Sequence, residues 1–185
     1  MKIRTGFISN SSSSNFIVAL DHRPKSREDL QEMMFGKQQW HYVGYYGKKG
    51  DNEIETSDIV NSVYNDIKRR RKSASKADMV HSLTGGYFDS YMDEECLPGR
   101  YDNFKEMVSL DLNKKEDQEK FRQLSRESQN VNHKRALAIV ETFMSINKGK
   151  YIIVTSYADE DGEWGGMMEH SGIFHRLEHI RTSCH

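Results

Sequence analysis

The densest set of side chains able to do chemistry lies in the last part of the chain. Asp159, Asp161, Glu169 and His170 supply three carboxylates and an imidazole within one short stretch. Such a set can hold a divalent cation (Zn, Mn or Mg) and polarise a phosphate ester, so these four are the candidate catalytic residues. His170, His175, His179 and His185 are the candidate metal ligands, since neutral imidazole binds such cations well. His175-Arg176-Leu177-Glu178-His179 also fits the H-x-x-E-H pattern, in which two His one helical turn apart bind zinc and the Glu activates water. That chemistry needs a third ligand and a helix, whereas Leu177 to Arg181 reads equally well as a strand. An EF-hand is excluded: with Gly162 at position six, Tyr157 and Met168 fall where carboxylates are required. Asp161-Gly162 instead predicts a hairpin turn after a strand, with Gly165-Gly166 permitting another bend.

A second concentration of chemistry is cationic. Lys68, Arg69, Arg70, Arg71 and Lys72, with Lys76 nearby, are the candidate nucleic-acid-binding residues. A helix C-terminus attracts cations without any ligand, and the near balance of 27 Lys+Arg against 28 Asp+Glu removes any whole-chain argument for a polyanion. Trp40 and Tyr42 to Tyr46 would help if the fold brought these aromatics beside the basic run. The run Ser9 to Asn15 offers small polar residues that could wrap a phosphate, but no phosphate-loop spacing accompanies it, and a turn-forming segment explains it as well.

The elements that position these groups follow from periodicity. Phe16 to Leu20 is an unbroken apolar block and predicts a buried strand; Tyr151 to Tyr157, β-branched and aromatic, predicts a second. Ser26 caps a helix through Met34 that Gly36 stops, and Ser57 caps another through Ile67. Ser75 opens a short helix ended by Gly85-Gly86. Tyr87 to Tyr101 is a surface excursion and Lys114 to Arg126 an exposed helix. Asn132 caps a separate amphipathic helix over Ala136 to Ile146, which ends at Lys148-Gly149. Trp40 to Gly50 suits an irregular or hairpin element more than a helix. The sum is one α+β domain over residues 1–185, with the two strands sharing a small sheet packed by helices.

Composition narrows the function classes. The 185 residues are 36% hydrophobic and 30% charged, without an apolar run long enough to span a bilayer, which predicts no membrane partner and a thin core. Two distant cysteines, Cys96 and Cys184, give no disulfide framework, and the first residues lack the apolar run of a signal peptide; both point to a reducing cytoplasm.

Arg4-Thr5-Gly6-Phe7-Ile8-Ser9-Asn10-Ser11-Ser12-Ser13-Ser14-Asn15-Phe16 resembles the start of uncharacterised tailed-phage and bacterial accessory proteins. Ser156 to Gly162 and Glu169 to Phe174, continuing to His185, are similar to the tail of a subset of them. The resemblance implies a phage accessory protein acting in the host cytoplasm and carries no activity with it. The leading expectation is therefore a protein that binds a host macromolecule, above all a protein, through aromatic and Met-containing surface left by the thin core. The alternatives are a small metal-dependent hydrolase or nuclease using the tail, and a nucleic-acid-binding module using Lys68 to Lys76.

Overall fold

The computed structural model describes residues 13–44, 52–70, 72–84, 106–107, 109–158 and 162–184. In chain order they form β1 (Ser13–Leu20), α1 (Arg27–Met34), β2 (Trp40–Tyr42), β3 (Glu53–Glu55), α2 (Thr56–Arg69), α3 (Lys76–Thr84), α4 (Lys115–Ile146), β4 (Tyr151–Ala158), α5 (Gly162–His170) and β5 (Glu178–Cys184). The fold is α+β, as the periodicity predicts. The expected excursion over Tyr87 to Tyr101 and the Gly85-Gly86 stop lie outside the described residues.

β1 is the middle strand of a three-stranded antiparallel sheet ordered β4-β1-β5. Its unbroken apolar run is explained by burial on both faces. Phe16, Val18 and Leu20 point into a core built with α1, α2 and α5, where Leu30, Met34, Ile59, Val63 and Met168 close around them. Ile17 and Ala19 point the other way, against Met79 and Leu83 of α3 and Ala136, Val140 and Phe143 of α4. The sheet is thus sandwiched between two helical layers.

The register places Ser13 opposite both Ala158 and Cys184. The strand extends three residues beyond the predicted Phe16 start, so Ser13, Ser14 and Asn15 are paired on both sides. Their backbone groups serve the ladder rather than forming an anion nest, and Ser9 to Ser12 lie outside the described residues.

β4 and β5 both run antiparallel to β1 and so run parallel to each other, which demands a crossover rather than a hairpin. Hence Gly162 begins helix α5, and Gly165 and Gly166 are buried inside it instead of bending the chain. Gly162 is therefore a helix start and not a hairpin-turn residue, while Asp161 lies outside the described residues.

Two caps also differ from expectation. The N-cap of α2 is Glu55; Ser57 lies in the first turn and its hydroxyl donates to the Glu55 carboxylate at 3.1 Å. Asn132 caps nothing, because Lys115–Ile146 is one helix: no Gly or Pro interrupts it, and 32 residues extend about 48 Å. Ser26 and Ser75 cap as predicted, each accepting from an amide three residues on, Asp29 and Asp78, at 3.2 Å.

Candidate functional site

Of the tail candidates, Glu169 and His170 lie near the Ser13 end of the sheet, beside Ser14. Asp159, Asp161 and His185 lie outside the described residues, so the description rests on Glu169 and His170 at the end of α5 and on what they touch. Glu169 is fully buried, and its Oε1 accepts a hydrogen bond from Ser14 Oγ at 2.9 Å. Arg181 Nε donates to the same Ser14 oxygen at 3.1 Å, and the Arg181 guanidinium lies over the Phe16 ring at 5.8 Å. His170 Nε2 stands 3.5 Å from Glu169 Oε2, and its Nδ1 stands 3.5 Å from Arg181. A carboxylate, a guanidinium and a hydroxyl thus compensate one another where isolated charge would be costly. With Ser14 itself fully buried, the arrangement ties α5 to β1 and β5 and gives the Ser14 hydroxyl no open face to a substrate.

Sequence reasoning missed Arg181 and read Ser14 only as part of the Ser9 to Asn15 run. The signal was the period-two alternation of β1, which puts Ser14 on the same face as Phe16 and Val18, and the register that sets Arg181 beside Phe16.

The H-x-x-E-H residues are not on a helix. His175 lies in the turns that follow α5, and Glu178 and His179 open β5, where neighbours point to opposite faces. His179 Nδ1 stands 2.9 Å from the Leu177 carbonyl, and its ring lies 6.5 Å from Phe174. Among the described residues, no three His, Cys, Asp or Glu side chains converge closely enough to hold a metal ion.

His175 instead stacks on His41, with ring centroids 5.8 Å apart and planes 17° from parallel. His41 is the inward residue of β2, and its Nε2 donates to the Ser171 carbonyl at 2.7 Å. Burial pushes the His41 imidazole below its ordinary range; the bond to Ser171 opposes this and the neighbouring His175 adds to it. A histidine whose folded-state pKa is depressed binds fewer protons than in the unfolded chain, so its contribution is intact above 6.5 and lost as pH falls. The melting temperature is expected to fall between pH 7 and pH 5, less steeply in His41→Phe. A pH profile of His41→Phe parallel to the parent would contradict this.

The same alternation that turns His41 inward turns Trp40 and Tyr42 outward, 50% and 64% exposed. Trp40 forms one rim of a groove of about 550 Å³ between α1, the Gly36–Trp40 segment and the start of α2, with Val60 and Thr56 in its lining. Its walls are cross-braced. Gln31 Nε2 donates to Gln38 O and to Thr56 Oγ1, each at 2.9 Å, and Thr56 Oγ1 donates to Gln38 O at 2.8 Å. The Thr56 amide donates to Gln39 O at 2.9 Å, locking the start of α2 to the β2 side. Gly36 has φ +60, a conformation that favours glycine; a Cβ there would also meet the Arg176 guanidinium, the end of a flexible side chain that can move aside. Arg27, Lys37, Glu28 and Glu55 give the groove charges of both signs.

Among the described residues, Met34, Met79, Met167 and Met168 are buried, while Met144 is 39% exposed on α4.

The basic run occupies the opposite end of α2. Lys68 and Arg69 form its last turn and Arg70 its C-cap, while Arg71 lies outside the described residues. Thr56 and Arg69 are separated by a 14-residue helix, about 20 Å, so Trp40 and the basic run do not form one surface. Lys76 is paired with Glu141 of α4. No helix among the described residues is long and apolar enough to cross a membrane. No protein-family model, curated protein or solved structure matches the chain.

Proposed function

We propose that this chain is a binding protein, a phage accessory factor that captures a host protein through the groove at Trp40. The observation that carries the reading is Trp40 itself: a large aromatic, half exposed, on the rim of a concave and internally braced surface. Aromatic anchors beside preformed concavities dominate protein interfaces, because they bury much area at little entropic cost. The bracing through Gln31, Gln38 and Thr56 supports it further, since walls already ordered cost little to order on binding. Polar groups of both signs around the rim suit a mixed protein surface better than a uniform polyanion.

The test is retrieval by tagged chain expressed in a susceptible host. One dominant host protein is expected, with a yield unchanged when divalent cations are chelated. Recovery of nothing above background by a folded chain would overturn the proposal, as would a partner lost on chelation.

A further inference from the structure

The cations at the far end of α2 gather with others that are distant in sequence. Arg23, three residues past the end of β1, donates from its guanidinium to the Arg70 carbonyl at 3.1 Å and lies 5.9 Å above the Tyr151 ring. Tyr151 Oη in turn donates to the Lys72 carbonyl at 3.3 Å, and Tyr64 Oη donates to the Lys25 carbonyl at 3.3 Å. These contacts bring the Arg23–Lys25 segment, the end of α2, Lys72 and the start of β4 to one edge of the molecule. The backbone there is fixed by hydrogen bonds, while the side chains of Lys25, Lys68, Arg69, Arg70 and Lys72 are exposed.

The carboxylates nearby are already engaged. Asp21 pairs with Lys150, Asp29 accepts from His22 and the Lys25 amide, Asp66 from Tyr157, and Asp78 from Ser75. Arg69 has only a distant ion pair with Asp66, at 4.0 Å, and its side chain is 82% exposed. Among the described residues, no carboxylate lies within ion-pairing distance of Lys68, Arg70 or Lys72. In a chain whose net charge is −1, cations outnumber carboxylates along this edge, with Asp66 and Asp78 the acidic groups beside them. A helix C-terminus accounts for one or two cations but not for this convergence of cations from two distant parts of the chain, 23–25 and 68–72.

We propose that this edge docks on the phosphate backbone of a nucleic-acid duplex. The duplex is favoured over a single strand because the aromatics here, Tyr64 and Tyr151, are spent on backbone contacts, whereas single-strand sites need exposed rings for base stacking. Contacts to phosphate alone carry no sequence preference.

The experiment measures binding of the full chain to a 20-base-pair duplex of arbitrary sequence by fluorescence anisotropy across a salt series. With about four phosphates neutralised, the slope of log Kobs against log salt should be about −3.6. The triple variant Arg69→Ala, Arg70→Ala, Lys72→Ala should lose at least about tenfold in affinity at low salt and flatten that slope by about three. Its melting temperature should stay unchanged, because the Arg70 contact to Arg23 uses the main chain. A charge-matched variant on α4, Lys115→Ala, Arg126→Ala and Lys134→Ala, should bind like the parent. No binding at low salt would overturn the proposal, as would equal loss in the α4 variant. Tighter binding to a single strand, or binding to anionic phospholipid vesicles in place of the duplex, would overturn it too.

Discussion

Replacing Glu169 with Ala is expected to lower the free energy of unfolding by about 3 kcal/mol, measured by urea denaturation. The carboxylate is fully buried and accepts from Ser14, whose oxygen also receives the Arg181 Nε–H. Removing it leaves a hydroxyl and a guanidinium facing each other at the end of α5, where water has no direct access to Ser14. Glu169→Gln keeps the shape and an acceptor and should cost less, about 1 to 2 kcal/mol. Against a typical domain stability of about 5 to 15 kcal/mol, the Ala variant should also shift the melting temperature by several degrees. A residue poised for catalysis would behave differently, because its removal usually leaves stability intact or improves it. A loss below about 1 kcal/mol in Glu169→Ala would therefore contradict the structural role assigned to this cluster.

Phe16→Ala should be comparably damaging, at about 3 to 5 kcal/mol. The ring is buried and joins three parts of the fold, lying 5.3 Å from Phe174 and 6.0 Å from Tyr157, centroid to centroid, with Arg181 over its face. The sheet and the 173–174 turn hold their positions through their own backbone bonds, so refilling of the space falls to the side chains of Met34, Met167 and Met168 in the same core. The loss should appear in the urea midpoint with the slope unchanged. A loss under about 1.5 kcal/mol would mean that the cavity collapses and that the core is looser than its burial implies.

These two residues also mark how far the sequence can be read. The run Phe16 to Leu20 announces a buried strand, and the apolar stripe Ile59, Val60, Val63 and Ile67 announces α2, because periodicity and burial are local properties. What the run could not announce is its place between β4 and β5, 130 or more residues away, and that placement forces the crossover through Gly162. The same long-range pairing brings Ser14 to Glu169 and Arg181, a cluster with no signature in its spacing. Conversely, H-x-x-E-H has a signature without the structure it needs, since His179 belongs to a strand whose partner is β1. Asn132 illustrates a third case: its capping propensity is real, but a helix with no breaker runs through it. The groove was legible only as an excess of aromatics near Trp40; the side that faces out depends on His41 finding Ser171 and His175.

The central claim, that the chain captures a host protein at Trp40, is tested most directly by comparing retrieval of that partner by the parent and by Trp40→Ala with Tyr42→Ser. Both side chains are exposed, so the variant should melt like the parent. The partner's yield is expected to fall about tenfold or more, as it does when an interface anchor is truncated, while the Arg69→Ala, Arg70→Ala, Lys72→Ala variant retains it in full. Equal yield from parent and Trp40→Ala, Tyr42→Ser would contradict the account.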